Sequence, residues 1–450
     1  MDRREFLKSA VVAGLAVNGA VARAAAKGEP DDQRKTGRRV SGWPVSAGRT
    51  EPFLMSKQCL AETKARIYSG DESVLSAFSA LLRNAEKSML VGPFTVMAKK
   101  KTPPSGDKHD YMSIGSYWWP DEHKEDGLPY IRRDGERNPD ALSDDYDERS
   151  LTSLVTAVET LALAYYFSED EKYARRAALL LRTWFVDPDT RMNPNLEYAQ
   201  AIAGITTGRG IGIIDTAGLA RIVDAAIILE NSPAFTRDDH AALTTWFSAY
   251  LKWLLESRNG KDENAALNNH GTWYDVQVVA FALFVGRKSL ARKVLESAKL
   301  KRMDAQIEPD GSQPMELDRT RAFSYCIFNL VGLFALARLG ESAGVDLWTY
   351  PAADRPLLRA ALDFIAPYAD PTLKWPHRQI TTFERGEMLP LLLQAAKIYP
   401  SQKYPDVVSR MAQEDVTSSR TRLLYPTADH KLEKDAAGKK LRQTGPDEAK

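Results

Sequence analysis

The chain has 450 residues, with 61 Lys and Arg against 60 Asp and Glu, a net charge of +1, 44% hydrophobic and 27% charged residues. That balance is ordinary for a globular protein with a sizeable core, and it argues against broad nucleic-acid binding while leaving room for a locally basic cleft. Only Cys59 and Cys326 occur, so no disulfide framework can hold the fold, and Cys326 reads as a small packing residue.

The N-terminus carries Arg3-Arg4-Glu5-Phe6-Leu7-Lys8, then a short apolar run from Ser9 to Val21 and small residues, with Ala22-Arg23-Ala24 or Ala24-Ala25-Ala26 as cleavage sites. This order predicts a twin-arginine signal peptide over 1–26 and a folded, periplasmic mature protein. No later stretch reads as a membrane helix, so no membrane association is expected after cleavage. Residues 27–50 read as a linker, 51–428 as one large domain and the charged stretch 429–450 as a disordered tail.

Helical periodicity dominates the domain. It predicts helices over Val74–Leu90, Leu151–Phe167, Glu171–Phe185, Thr216–Glu230, Arg237–Ser257, Trp273–Phe284, Ser289–Met303, Thr320–Leu339, Pro356–Tyr368 and Gly386–Ile398. Asp170 and Thr236 suit N-caps, and Gly286 follows an apolar run as a stop. Alternating strand patterns are scarce, which predicts an all-α fold without an appended β-sandwich. Successive helices joined by aromatic and Pro/Gly-rich loops predict helical hairpins closing into an α/α toroid, with a plain bundle or solenoid as the competing arrangement.

Several loops carry sugar-type chemistry. Ser113-Ile114-Gly115-Ser116-Tyr117-Trp118-Trp119 places Tyr117, Trp118 and Trp119 where aromatic faces could stack on sugar rings, with Arg132 and Arg133 adding positive charge nearby. Asn195, Gln200 and Arg209 suit a cleft wall. The run Gly208-Arg209-Gly210-Ile211-Gly212 has the wrong spacing for a nucleotide loop. Scattered histidines, and an Asp144–Glu148 run without EF-hand spacing, predict no metal. Trp375-Pro376-His377-Arg378-Gln379 offers Arg378 as a further carboxylate contact.

Two clusters hold the reactive groups. In Asn268-Asn269-His270-Gly271-Thr272-Trp273-Tyr274, a helix starting near Asn269 puts His270, Tyr274 and Gln277 on one stripe. In Glu316-Leu317-Asp318-Arg319-Thr320-Arg321-Ala322-Phe323-Ser324-Tyr325, Arg321 and Tyr325 stand four apart, and Arg319 joins them only from a turn ahead of the helix, which Pro314 favours. Eliminating a 4-linked uronate needs the sugar carboxylate neutralised, a base at C5 and an acid for the departing O4. Amide, imidazole and guanidinium suit the first task, and a phenol beside a cation suits the others.

These two clusters resemble the paired signatures of the alginate-lyase superfamily, polysaccharide lyase families five and thirty-eight, over about Tyr111 to Gln379. The resemblance implies an α/α toroid and cofactor-free, metal-independent β-elimination of an anionic polysaccharide such as alginate, polymannuronate or glucuronan. It implies charge neutralisation by Asn269, His270 and Arg319, and base and acid roles for Tyr325. Asn268, Trp273, Tyr274 and Arg321 are expected at the substrate. The spacing departs from family five, which separates arginine and tyrosine by one more residue, and fits family thirty-eight more closely. Two other readings stay open: a toroidal glycoside hydrolase using Asp215 and Glu316, and a non-catalytic glycan-binding protein.

Overall fold

The computed structural model describes residues 51–351 and 355–427. The expected signal peptide, linker and tail lie outside the described residues. Helices dominate: α1 (Lys57–Tyr68), α2 (Glu72–Met89), α3 (Glu148–Ser168), α4 (Glu171–Leu181), α5 (Leu219–Leu229), α6 (Arg237–Glu256), α7 (Arg258–Ala265), α8 (Asn269–Phe284), α9 (Lys288–Ala298), α10 (Pro314–Leu317), α11 (Ala322–Ala343), α12 (Leu357–Ile365) and α13 (Leu389–Ile398). Three short helices, α14 (Lys403–Ser409), α15 (Gln413–Thr417) and α16 (Thr421–Leu424), close the described chain.

The architecture is an α/α toroid. Helices α3, α5, α8 and α11 are buried on almost every side and form the inner wall. Helices α2, α4, α9 and α12 bury one face against that wall and turn the other to solvent. Burial all round explains why α8 and α11 lack the apolar stripe of a surface helix: every face meets another helix.

It also corrects one expectation. Glu148–Ser168 and Ala322–Ala343 are long and apolar enough to cross a membrane, although 78% and 83% of their most apolar windows are buried inside the protein. Length and hydropathy do not separate an inner toroid helix from a membrane span; packing does.

Among the described residues, strands are confined to two small sheets, β1 (Met112–Ile114) with β4 (Tyr198–Ala201) and β2 (Trp118–Trp119) with β3 (Ile131–Arg132). In the second pair Trp118 lies opposite Arg132, which carries an aromatic platform and a cation to the same edge.

The caps behave as the sequence predicts. Asp170 accepts from the Lys172 N–H, Thr236 and Asp239 form a reciprocal capping box, and Gly286 adopts a φ of +76° beyond α8. Three differences stand out. Helix α8 starts at Asn269, four residues before the apolar run. Thr216 ends a tight winding over Gly210–Thr216 instead of opening the helix, which starts at Leu219. Helices α1 and α7 were not predicted, because neither carries a long apolar stripe.

Gly271, in the first turn of α8, is fixed by space. A Cβ there would lie 2.1 Å from the Ala266 carbonyl oxygen and 2.3 Å from Arg302 Nη1. Arg302 is fully buried, paired with Asp275, and donates to the carbonyls of Ala266 and Asn264. Gly271→Ala is therefore expected to destabilise by about 2–3 kcal/mol in urea unfolding, an overpacking cost. A variant within about 0.5 kcal/mol of the wild type would show that Arg302 moves aside freely.

Candidate active site

Both reactive clusters open helices of the inner wall at the same end of the toroid. Asn268 is the N-cap of α8, its side chain accepting from the His270 N–H at 3.2 Å. Arg319 sits in the turn between α10 and α11, and Tyr325 occupies the first turn of α11. Together with Tyr117, Trp118 and Arg132 from the β2–β3 ribbon and its approach, Gln200 from β4 and Arg209 from beyond it, they line one cleft of about 280 Å³.

Arg319 is the centre of this arrangement. Its Nη2 donates to the Tyr325 hydroxyl at 2.5 Å, and its guanidinium carbon lies 3.7 Å from the centre of the Tyr325 ring. The same guanidinium is held by Asp134, at 2.7 and 3.3 Å. Burial works against its charge, but Tyr325, Asp134 and Glu316 outweigh burial and raise its basicity further. For Asp134, burial pushes the carboxyl up, yet the Arg319 bonds, Thr320 and Arg132 hold it well below the usual carboxylate range. The Tyr325 hydroxyl also donates to Tyr117 Oη at 3.2 Å. The guanidinium therefore favours negative charge on the phenol oxygen.

The turn places Arg319, not Arg321, beside Tyr325. Arg321 precedes the helix with φ −126° and ψ 52°, so the spacing of four does not put it on Tyr325's face. It is buried instead behind the cleft, with Nε donating to Thr381 Oγ1 at 3.2 Å and its backbone bridged to Gln379.

His270 also lines the cleft, with Nδ1 at 2.7 Å from the buried Glu263 carboxylate. Asn269 does not line it. Fully buried, it donates its backbone N–H to Glu316 at 2.8 Å and its amide nitrogen to both Glu316 oxygens at 2.8 Å. Glu316 lies three residues before Arg319, so this contact ties the first cluster to the second.

The remaining expected residues divide clearly. Arg209 lies 5.8 Å from the Trp118 ring and donates to the backbone and side-chain oxygens of Gln200, both at 3.1 Å. Glycines permit this wall: a Cβ on Gly208 or Gly212 would collide with Glu197 or Ala199 of the β4 segment. Trp119 bonds Glu136 and packs with Arg133, and Asn195 donates to Asp110; neither lines the cleft. Trp273 and Tyr274 are core residues, bonded to the carbonyls of Phe328 and Leu254. Gln277 likewise turns inward, to Thr216 and Ile213. Arg378 is exposed and contributes only its carbonyl, which accepts from the Ala322 N–H.

Glu263, Asp134 and Phe328 escaped the sequence reading. Glu263 sits in a polar stretch that reads as surface, and Asp134 in an Asp-Gly turn 185 residues from Arg319. No local signal marks either.

The paired carboxylates required by a hydrolase are not presented. Asp215 is buried, accepting from Tyr111, Ser113 and Gln200, and burial pushes its carboxyl up to about 6. Glu316 is committed to Asn269. Neither lines the cleft, which corrects the hydrolase alternative. Among the described residues, no group of three or more His, Cys, Asp or Glu side chains is arranged to hold a metal ion.

Comparison with known proteins places this helical toroid among polysaccharide lyases. The chain is similar to the crystal structure of an alginate lyase from Bacteroides ovatus, with 40% identity, a TM-score of 0.79, and coverage of 85% of this chain and 100% of that one. It also shares its fold with alginate lyase A1-III from Sphingomonas species A1, at 16% identity and a TM-score of 0.51, covering 86% of this chain and 100% of that one. An A1-III variant complexed with a tetrasaccharide matches at 16% identity and a TM-score of 0.54, covering 85% of this chain and 98% of that one. No curated protein sequence gives a significant match. The alginate lyase family model matches residues 95–375. The chain belongs to the alginate lyase family.

Removing the Asn269 amide strands a buried carboxylate. Asn269→Ala is expected to lower stability by about 2–3 kcal/mol, the scale of hydrogen bonds to a charged group. Urea unfolding followed by circular dichroism measures it. An unchanged midpoint would mean that the two clusters hold together without this link.

Proposed function

We propose that the protein cleaves 4-linked polyuronates, such as alginate, polymannuronate or glucuronan, by β-elimination within a polyanion-binding cleft. One observation carries this reading: Arg319 is bonded to the Tyr325 hydroxyl at the mouth that His270 also lines. Arg132 and Arg209 on the cleft wall suit an anionic chain, and the N-terminal end of α8 adds favourable dipole charge. The proposed export to the periplasm rests on the N-terminal sequence alone: Arg3-Arg4, the apolar run from Ser9 to Val21 and the small residues after it.

In this reading His270 and Arg319 neutralise the carboxylate of the bound uronate, with Asn268 contributing its side-chain amide. Asn269 serves from behind by holding Glu316 and hence the Arg319 turn. Tyr325, as phenolate beside Arg319, takes the C5 proton. The electron pair left at C5 forms the C4–C5 double bond, the C4–O4 bond breaks, and the departing oxygen takes a proton from the Tyr325 phenol. Charge neutralisation by side chains gives a metal no assigned part.

The test is growth of ultraviolet absorbance from unsaturated ends when purified protein meets alginate, polymannuronate, polyguluronate and glucuronan. Tyr325→Phe is expected to lower kcat by about 1,000-fold with substrate binding retained. Rates in excess EDTA are expected to match those without it. Full activity of Tyr325→Phe would remove the phenol from the reaction, and loss of activity in EDTA would put a metal into it.

A further inference from the structure

The His270 imidazole is not simply exposed to the cleft; it is backed by a carboxylate that has almost no access to water. Glu263 comes from α7, a short helix that turns directly off α6 through Ser257. Its side chain is 1% exposed, and its Oε1 lies 2.7 Å from His270 Nδ1. An Nδ1–H donating to this carboxylate leaves Nε2 as the ring nitrogen for the cleft.

Several restraints hold the carboxylate there. A Cβ on Gly260 would lie 1.9 Å from the Leu254 oxygen, and one on Gly210 would lie 3.2 Å from the Glu263 nitrogen. Both glycines let α7 sit tightly between α6 and the Gly210–Thr216 segment. At its far end, Arg302 and Lys301 donate to the Asn264 carbonyl, and Arg302 also reaches Ala266. The segment from Glu263 to His270, two residues seven positions apart, thus forms a short, pinned bridge. The other ionisable groups that sense Glu263 are Arg209, Tyr250 and Tyr274. Burial keeps both phenols protonated, so neither competes for the carboxylate's charge.

We propose that Glu263 is a positioning residue that locks the proton on His270 Nδ1 and confines proton exchange by the imidazole to Nε2, on the cleft side. A carboxylate accepts and cannot donate, so it enforces one tautomer of the neutral ring and keeps the same bond when the ring is charged. The imidazole can then meet the uronate with its Nε2 alone, without rotating or exchanging its rear proton. This assignment rests on the lyase reading for its purpose but not for its test.

The decisive measurement is nitrogen-15 NMR of the resting enzyme at a pH where the ring is neutral, with the His270 signals identified by their loss in His270→Gln. The wild type is expected to show the Nδ1–H tautomer. Glu263→Gln, whose amide can donate as well as accept, is expected to populate Nε2–H and to lose about 100-fold in kcat/KM. Glu263→Asp is expected to restore the tautomer and most of the rate. An Nε2–H tautomer in the wild type would overturn the assignment. So would a Glu263→Gln variant that keeps the wild-type tautomer, at any level of activity. If Glu263→Gln does not fold, the wild type and Glu263→Asp still decide. A wild type with no activity on any polyuronate would sink the lyase reading while leaving the tautomer result intact.

Discussion

Asn269 and Glu316 meet through hydrogen bonds from both the main chain and the side chain, in a place that water does not reach. The contact costs desolvation of a carboxylate, and only good geometry offsets that cost. What it secures is register. Asn269 is the first residue of α8, and Glu316 belongs to the turn that leads into α11. Fixing one against the other fixes His270 against Arg319, although 49 positions separate them along the chain. Packed elements therefore bring His270 and Arg319 to one cleft.

The same device recurs at the site. Glu316 holds Asn269, Asp134 holds Arg319 and Glu263 holds His270. Each carboxylate sits outside the cleft lining; Asp134 and Glu263 fix groups that face the cleft, and Glu316 fixes the buried start of α8 behind it. Acidic side chains thus shape a cleft meant for an anion without presenting their own charge to it. The arrangement also explains why counting carboxylates along the chain misleads: Asp215 and Glu316 look like a hydrolytic pair but are structural acceptors.

Much of the fold could be read from the sequence because its determinants are local. Periodic apolar residues and caps such as Thr236 and Gly286 need only their neighbours. Helix α7 could not be read that way, since Gly260 and Glu263 make sense only against α6 and the Gly210 segment. In the site, the two clusters were legible because each is contiguous. Their division of labour was not. A spacing of four favours Arg321 beside Tyr325, yet the backbone at Arg321 is not helical, and Arg319 takes the place. Trp273 and Tyr274 illustrate the same limit: aromatic residues next to His270 serve packing, as their bonds to the carbonyls of Phe328 and Leu254 indicate. Asp134 depends on tertiary closure entirely.

The inner helices raise a different matter. Ala322–Ala343 acquires its partners only when the hairpins around it have closed. Before then it is a long oily rod with Tyr325 near one tip, and nothing in its own composition keeps it out of a bilayer or an aggregate. Burial within the ring therefore protects as well as positions, since the segment that supplies the phenol is also one that needs cover while the protein is incomplete.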